Sequence, residues 1–355
     1  MTSLCVAIDL GGTHLRVALV DGEGNIIRRA SKVVGVRRDA ESVVGQMISE
    51  ARELSGEQWR DVIALGAGLP GFVDSALGVV HQSPHFPDWK EVPFKKLLED
   101  RLKIPVAIDN DANCAALGEQ WKGTAKDWRS FWAITLGTGI GGALVLDRRL
   151  WRGKSGLAGE VGHMVFESEG FPCACGGRGC WEVYASASAA KYYFKEPVEL
   201  SKLSGVVENV SDYPKECPTP NRPFKNSIYF NAFEISGLDS RTPFGVGHQF
   251  STTPLSGDSP FWKFFGNNLG IGMASLIHIT GVTHFVIGGG LVGAWKYFSP
   301  AMQEAIQKRM YRSVANEVTV VPTILNGEAG VLGAASVALQ GSFFQIDESR
   351  SKESS

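Results

Sequence analysis

Three cysteines, a histidine and a glutamate lie close together in one glycine-rich stretch of this sequence. The stretch reads HMVFESEGFPCACGGRGCWE, and its reactive side chains belong to His163, Cys173, Cys175, Cys180 and Glu182. One histidine and three cysteines are a normal ligand set for closed, four-coordinate zinc, which leaves no open position for chemistry. A redox-active pair of Cys173 and Cys175 is the alternative, but the third cysteine and the histidine favour zinc. The metal is therefore expected to fix a loop that presents Glu160, His163 and Glu182.

Three glycine-rich turns, each placed directly after an apolar strand, suit the binding of phosphate groups. Their residues are Asp9, Gly11, Gly12 and Thr13 in the first turn, Gly137, Thr138 and Gly139 in the second, and Gly289 and Gly290 in the third. Glycine leaves backbone N–H groups accessible to an anion, although a plain turn is the alternative for each one alone. The second turn also satisfies G-x-G-x-x-G, but a strand follows it instead of a helix, which argues against a dinucleotide site. Asp9 ends the first strand and is placed to hold Mg²⁺.

A carboxylate at the end of another strand is a candidate base. In VAIDNDANCAALGEQW an apolar strand runs into a helix, and Asp111 falls in the first helical turn. The helix dipole at that position favours an ionised carboxylate. Asp109, Asn110 and Asp111 are also residue types that commonly cap helices, and capping is the alternative explanation. Beside two phosphate-binding turns, however, Asp111 is placed to accept a proton from a hydroxyl that attacks phosphorus.

These residues require strands that alternate with helices, and the sequence predicts that arrangement along most of its length. A strand, a glycine turn and a second strand begin the chain, and the same order returns at FWAITLGTGIGGALVLD. The repetition predicts two similar α/β lobes with a cleft between them. Helices are expected at 40–54, 94–102, 112–121 and 300–311, whereas segment 197–260 is rich in proline and polar residues and breaks the pattern. The apolar stretch LGIGMASLIHITGVTHFVIGGG is expected to form a buried helix and a core strand, not a membrane span.

Composition narrows the classes of function further. The chain has 355 residues and a formal net charge of -2, and 44% of its residues are hydrophobic. Scattered Lys and Arg residues give no electrostatic basis for binding nucleic acid. No basic segment precedes the first apolar run, so no signal peptide is predicted and a cytoplasmic location is expected. Six cysteines in a chain of this length do not suit a secreted disulfide scaffold, and Cys5 and Cys114 are expected to be small buried hydrophobes.

Eight segments together resemble one protein family. They are DLGGTHLR, GLPGFVD, IDNDANCAALGE, TLGTGIGG, GLAGEVGHM, CACGGRGCWE, VIGGGLV and NGEAGVLGAA, in this order. They resemble the ROK family (repressors, open reading frames and kinases), and specifically its glucokinase-like bacterial sugar kinases. The resemblance covers most of residues 5–340 apart from 197–260, and the E-x-x-H and C-x-C-x4-C-x-E patterns are its most specific part.

The resemblance implies a fold of two RNase H-like (actin-like ATPase) domains that flank a cleft. Residues 1–112 would form a small N-terminal α/β domain, which a C-terminal helix at about 328–342 would join. Residues 113–327 would form a large α/β domain, which contains the zinc loop 163–182 and the atypical segment 197–260. Residues 343–355 would be a polar tail. A homodimer is also implied.

The resemblance further implies ATP-dependent phosphorylation of the 6-hydroxyl of a hexose, with glucose as the first expectation. Asp111 would be the base, and Asn110, Glu160, His163 and Glu182 would contact other sugar hydroxyls, with the backbone at Gly71 nearby. His163 would have one ring nitrogen on zinc and the other towards the sugar, so that the metal fixes its tautomer. The first two glycine turns would wrap the phosphates of ATP–Mg²⁺, and Gly289 and Gly290 would lie near the adenosine.

Three alternatives stay open at this point. The substrate is expected to be glucose, but mannose, fructose, N-acetylmannosamine or N-acetylglucosamine are alternatives, as is polyphosphate in place of ATP. A sugar-sensing ROK repressor without catalysis is less favoured, because such repressors carry a helix-turn-helix before the first glycine turn and only eight residues precede Asp9 here. The segment PHFPDW departs from the family's usual PNLPGW at His85 and Asp88, which would alter sugar contacts.

Overall fold

The computed structural model describes residues 3–193 and 260–352 of the chain. Its first β-sheet has five strands in the order β3-β2-β1-β4-β8. These strands are β1 (Leu4–Leu10), β2 (His14–Asp21), β3 (Ile26–Val33), β4 (Val62–Leu69) and β8 (Val106–Asn110). The first three strands form an antiparallel meander, and β4 and β8 then run parallel to β1. The carboxyl ends of β1, β4 and β8 therefore meet at one edge of the sheet, where ligands bind in open α/β sheets.

The second sheet repeats this arrangement with the order β11-β10-β9-β12-β13. Its strands are β9 (Phe131–Leu136), β10 (Ile140–Leu146), β11 (Arg149–Trp151), β12 (His284–Gly288) and β13 (Thr319–Pro322). Here too a meander comes first, and two parallel strands follow on the side of its first strand. The prediction of two similar α/β halves is thereby confirmed.

A small antiparallel sheet is inserted between β4 and β8 of the first half. It consists of β5 (Phe72–Asp74), β6 (Val79–Ser83) and β7 (Phe86–Val92) in the order β5-β6-β7. A two-residue turn, Pro84 and His85, joins β6 to β7, because Ser83 pairs with Phe86. The second half has no counterpart of this sheet among the described residues.

Helices cover both five-stranded sheets. They are α1 (Ala40–Ser55), α2 (Phe94–Leu102), α3 (Asp111–Lys122), α4 (Glu182–Ala185), α5 (Ala187–Tyr193), α6 (Pro260–Thr280), α7 (Trp295–Gln307), α8 (Arg312–Ala315) and α9 (Ala329–Lys352). Helices α1 and α2 share one apolar core with the first sheet, and α9 closes its other face. The aromatic faces of α6 and α7 form the core of the second sheet. Within 3–193 and 260–352, no helix combines the length and apolar content that a bilayer crossing needs.

Helix α3 touches both sheets and packs most closely on α9. A Cβ atom at Gly118 would collide with the carbonyl oxygen of Ala329, and one at Gly333 would collide with that of Cys114. Glycine at these two crossing points lets the helix backbones approach directly. The helix whose first turn carries Asp111 is therefore held firmly between the two halves.

Two helices differ from the bounds that the sequence predicts. Helix α7 begins at Trp295 and not at residue 300, so that Pro300 lies inside it, where its missing N–H removes a single backbone hydrogen bond. Helix α9 continues to Lys352 instead of ending near 342, and no proline interrupts it. Residues 197–259 lie outside the described part of the chain. The domain boundaries at 112 and 327 stay a prediction, although the first one falls within the first turn of α3.

Candidate active site

The side chains of the predicted zinc ligands converge at one point. One ligand atom each from His163, Cys173, Cys175 and Cys180 lies within 4.8 Å of all the others. The Sγ atoms of Cys175 and Cys180 are 3.6 Å apart, and Cys173 Sγ lies 3.7 Å from His163 Nδ1. Among the described residues all cysteines are free thiols, so the redox pair of Cys173 and Cys175 stays the alternative to zinc.

These distances fit a tetrahedral ion. With Zn–S bonds of about 2.3 Å and a Zn–N bond of about 2.0 Å, the edges of a tetrahedron are about 3.5–3.8 Å long. A disulfide would instead need sulfur atoms about 2.05 Å apart. Positive φ angles at Gly176 (89°) and Gly179 (67°) let the chain wrap round the point, and the N–H of Gly177 donates to Cys175 Sγ at 3.4 Å.

The cysteine loop is anchored on the core of the second half. Trp181, directly after Cys180, is fully buried, and its Nε1–H donates to the carbonyl oxygen of Asn268 in α6 at 2.9 Å. A Cβ at Gly272 of α6 would collide with the indole ring. Helix α4 begins at the next residue, Glu182, so its position follows from this anchor.

His163 and Glu182 link the cysteines to Glu160 and to the second glycine turn. His163 directs Nδ1 towards the cysteines, while its Nε2 lies 3.9 Å from Glu160 Oε2. Glu182 Oε1 accepts from Cys173 Sγ at 2.9 Å and lies 3.5 Å from His163 Nδ1. Glu182 Oε2 accepts from the backbone N–H of Ile140, just beyond the second glycine turn, at 3.3 Å. One carboxylate therefore links the cysteine loop to the second glycine turn.

The junction between β8 and α3 uses Asn110, and not Asp111, as the helix cap. Asn110 Oδ1 accepts from the N–H groups of Ala112 and Asn113 at 2.9 and 3.1 Å, and its Nδ2 donates to Gly71 O at 3.0 Å. Asn110 therefore caps the helix, which was the alternative role considered for Asp111. Asp111 accepts from the backbone N–H of Ala112 at 2.9 Å, and no side chain is hydrogen-bonded to it among the described residues.

The electrostatic surroundings of Asp111 differ from the sequence-based expectation. Burial raises the pKa of Asp111 to about 7, and the nearby carboxylates of Asp9 and Glu160 contribute to the rise. The bond from Ala112 N–H acts in the opposite direction but does not prevail. The expectation that the helix dipole holds Asp111 in its ordinary ionised state was therefore wrong, because burial and two like charges outweigh it.

The first glycine turn lies next to this carboxylate. Asp9 is 9% exposed, and its Oδ2 accepts from Arg16 Nη1 at 2.9 Å across the β1–β2 hairpin. Gly11 N–H donates to His14 O at 2.8 Å, and Val34 N–H donates to Thr13 O at 2.8 Å, which closes the turn. The structure thus places an ion pair of Asp9 and Arg16 at the entrance of the first turn.

The second and third glycine turns meet each other. A Cβ at Gly289, whose φ is 87°, would collide with the backbone of Leu136, directly before Gly137. The second turn is braced from the start of α5, where Ser186, directly before the helix, and Ser188 within it both donate their hydroxyls to Thr138 O at 2.7 Å. Gly290 follows at the start of a short 3₁₀ turn, Gly290–Ala294.

His85 lies over the first turn, at the tip of the inserted β6–β7 hairpin. A Cβ at Gly12 would come within 2.9 Å of the ring atoms Cγ and Nδ1 of His85. Desolvation of the ring lowers the pKa of His85, although the residue as a whole is exposed, and the charge of Glu182 acts against this, so the two side chains are electrostatic neighbours. Asp88, the other departure from the family pattern, is exposed on β7.

Ser83 Oγ, next to Gly71, is buried with no hydrogen-bond partner.

The predicted site residues therefore fall in one region. Their mutual contacts, hydrogen bonds and charge effects connect Asp9, Asp111, Glu160, His163 and Glu182 to the glycine turns. The sequence analysis did not identify two arginines. Arg16 forms an ion pair with Asp9, and Arg152 forms one with the buried Asp109. Arg16 could have been found from the sequence, since counting equal numbers of residues back from the hairpin turn places it opposite Asp9. Arg152 had no sequence signal, because it approaches Asp109 from the other half.

The two matched sheets and the cleft between them belong to the two-domain, RNase H-like (actin-like ATPase) class of α/β proteins. The crystal structure of a ROK family glucokinase from Streptomyces griseus in complex with glucose and AMPPNP superposes with a TM-score of 0.73 at 28% identity, covering 95% of this chain and 99% of the other. The glucokinase of Thermotoga maritima is 31% identical over 332 residues, which are 94% of this chain and 96% of the relative. The xylose repressor of Bacillus subtilis is 25% identical over 94% of this chain and 76% of its own length.

The chain belongs to the ROK family, whose sequence profile matches residues 5–217 and 252–341. The resemblance in the sequence is thereby confirmed. The roles of individual site residues and the homodimer stay predictions.

Proposed function

We propose that this protein is a sugar kinase that transfers the terminal phosphate of ATP to the 6-hydroxyl of a hexose, with glucose as the expected substrate. The observation that carries the proposal is the convergence of Asp111, Glu160, His163 and Glu182 between two glycine turns. Similarity to glucokinases over nearly the whole chain supports it.

Asp111 would accept the proton of the attacking hydroxyl. A base works best when its pKa lies near the working pH, and burial raises the pKa of Asp111 to about 7. At neutral pH the Asp111 carboxylate is therefore ionised in a large fraction of the molecules, and it is still basic enough to take a proton. Phosphoryl transfer demands little more of a protein than this alignment and the neutralisation of charge.

Asp9 and Arg16 would serve the phosphate side. Asp9 offers hard carboxylate oxygens of the kind that Mg²⁺ prefers, and its charge already disfavours ionisation of Asp111. A divalent cation held by Asp9 would neutralise charge on the phosphates when bound. Arg16, bonded to Asp9, holds that carboxylate in place and adds positive charge beside the turn.

The cysteine loop would hold structural zinc through His163, Cys173, Cys175 and Cys180. Bound zinc would fix the tautomer of His163, so that Nε2 faces Glu160 and the sugar. We expect about one zinc per purified chain by elemental analysis. Replacement by Co²⁺ should give sulfur-to-metal absorption bands, and Cys175→Ser should weaken them. Metal-free protein with native stability would contradict this assignment.

The decisive test is a coupled assay with ATP–Mg²⁺ or polyphosphate against hexoses and N-acetylhexosamines. Asp111→Asn should lower kcat by about 10²–10⁴-fold, the usual contribution of a general base, while sugar binding by calorimetry persists. Asp127→Asn, an exposed residue beyond α3, is the matched control and should be fully active. 6-Deoxyglucose should bind without being phosphorylated. Near-normal turnover by Asp111→Asn would refute the proposal.

A sugar-responsive regulator is the second candidate, because a xylose repressor also matches most of this chain. Its distinguishing result would be sugar binding with no phosphorylation by the unaltered protein. The raised pKa of Asp111 argues for catalysis, since a hydroxyl-binding residue has no need of a basic carboxylate.

The choice of sugar would depend partly on His85. Its ring lies on Gly12 and near Glu182, between the phosphate side and the sugar side of the site. We expect His85→Asn to change the ratio of kcat/KM between glucose and the other sugars by several-fold. Asp88→Gly, at the exposed second departure, is the control and should leave the ratio unchanged.

A further inference from the structure

A buried ion pair joins the strand that leads to Asp111 with the second half of the molecule. Asp109 on β8 has a side chain that is 0% exposed, whereas that of Arg152 is 36% exposed. Arg152 donates from Nε at 2.8 Å and from Nη2 at 2.6 Å, both to Asp109 Oδ2. A buried carboxylate needs such a charged partner, so the pair is a fixed feature of the native state.

The other oxygen of Asp109 organises the start of α3. Oδ1 accepts from the backbone N–H of Asn110 at 2.8 Å and from Asn113 Nδ2 at 2.8 Å. Asn110 is the cap of α3 and the neighbour of Asp111. The orientation of the Asp109 side chain therefore fixes the orientation of the Asn110 backbone, directly before the proposed base.

Arg152 begins the loop that delivers Glu160. It follows β11 of the second sheet, and the chain then crosses to the inserted sheet, where a Cβ at Gly156 would collide with Val73 O. The loop returns at Gly159, which packs on the backbone of Gly142. Glu160 comes next. A single guanidinium thus connects the strand end that carries the base with the loop that carries a sugar ligand.

We propose that Arg152 is a positioning residue, which acts through Asp109 to keep Asp111 and the Glu160 loop in register across the cleft. The inference rests on the proposed kinase function. A misplacement of about 1 Å in such a site costs about 100-fold in rate, so Arg152→Ala should lower kcat by about that factor. The KM for ATP should change less than about threefold, because the glycine turns do not touch the pair.

The experiment separates positioning from stability. Arg152→Ala should regain at least about tenfold in kcat with millimolar guanidinium, and Arg152→Lys should be intermediate. The double variant Arg152→Met/Asp109→Asn removes both charges, so it should recover thermal stability but not kcat. Arg129→Ala is the matched control. It breaks the exposed ion pair between Arg129, before β9, and Asp147, directly after β10, and should leave kcat unchanged.

Two outcomes would overturn the inference alone. One is a kcat for Arg152→Ala within about threefold of the unaltered protein, and the other is full recovery of kcat in the double variant, as expected of a merely structural pair. In both, the unaltered protein remains a kinase and Asp111→Asn remains inactive. If the unaltered protein phosphorylates no sugar, or Asp111→Asn is active, the proposed function fails and the inference fails with it.

Discussion

The two five-stranded sheets share one strand order, yet the turns at their matching hairpins offer different chemistry. In the first hairpin the penultimate cross-strand pair is Asp9 with Arg16, and in the second it is Thr135 with Gly141. The first turn thus has a carboxylate and a guanidinium at its entrance, whereas the second has a hydroxyl and a bare backbone. A duplicated scaffold need not duplicate a site, because single side chains at equivalent positions decide what each turn can bind.

Support for the two turns differs as well. The first is covered by His85 from the inserted sheet, and the second is braced by Ser186, Ser188 and Glu182. The brace connects the second turn to the segment that follows the last cysteine. We infer that the first turn handles charge at the reacting phosphate, while the second is a rigid backbone cradle.

The largest expected effect comes from removing the charge that distinguishes the first turn. Asp9→Asn keeps the shape but loses the negative charge, and kcat should fall by about 100-fold or more, with a higher Mg²⁺ requirement. Thr135→Val, at the equivalent position of the second hairpin, should stay within about fivefold. Steady-state kinetics at varied Mg²⁺ measures both, and equal losses would contradict the division of labour.

The pH dependence of the unaltered protein tests the same charge cluster. Burial, Asp9 and Glu160 raise the pKa of Asp111 to about 7, and only its ionised form accepts a proton. We expect kcat/KM for the sugar to fall about tenfold per pH unit below 7. Glu160→Gln removes one like charge, so its acid limb should move to lower pH, while the exposed control Glu169→Gln should not shift it.

Stability gives an independent measurement of that pKa. Because the folded state holds the Asp111 proton more tightly than the unfolded chain, ionisation of Asp111 weakens folding as pH rises from about 4 to about 7. Asp111→Asn should therefore raise the unfolding temperature more at pH 8 than at pH 5.5. An increase that is the same at both pH values would show that Asp111 has an ordinary pKa.

The sequence predicted most of the fold and most of the site for identifiable reasons. Strand, glycine turn and strand occurred twice, and this local pattern sufficed for two matched sheets. The cysteine loop was equally local, because all four proposed ligands lie within eighteen residues, from His163 to Cys180. Spacing alone therefore predicted the convergence that the structure shows.

What the sequence could not predict depends on contacts between distant segments. The raised pKa of Asp111 needs Asp9 and Glu160 beside it, and these come from different halves of the chain. Arg152 reaches Asp109 over 43 positions, with no periodicity to signal it. The end of α9 was missed for another reason, since polarity suggested a loose tail although the residues suit a helix.

A smaller effect is expected from the backbone of the second turn. A Cβ at Gly139 would collide with Glu182 Oε2, whereas a Cβ at Gly137 meets no atom within 4 Å. Gly139→Ala should lower the unfolding temperature and raise the KM for ATP by about tenfold or more. Gly137→Ala should keep full stability, so any rise in its KM for ATP would report a phosphate that approaches the turn closely. Unchanged KM in both variants would remove the second turn from nucleotide binding.

The smallest effect should come from the serine brace. Ser188 donates to Thr138 O at 2.7 Å, and a typical hydrogen bond contributes about 1 kcal/mol, or about fivefold in a binding constant. Ser188→Ala should therefore raise the KM for ATP by no more than about fivefold with kcat unchanged, whereas Ser31→Ala on the exposed face of β3 should change neither. Ser186 donates to the same oxygen, so the double variant should show more than the product of the single effects if each hydroxyl compensates for the other. If neither single nor double variant alters the KM for ATP, the second turn keeps its shape without the two hydroxyls, and its rigidity comes from Glu182 and from its backbone hydrogen bonds to Ala187 and Ser188.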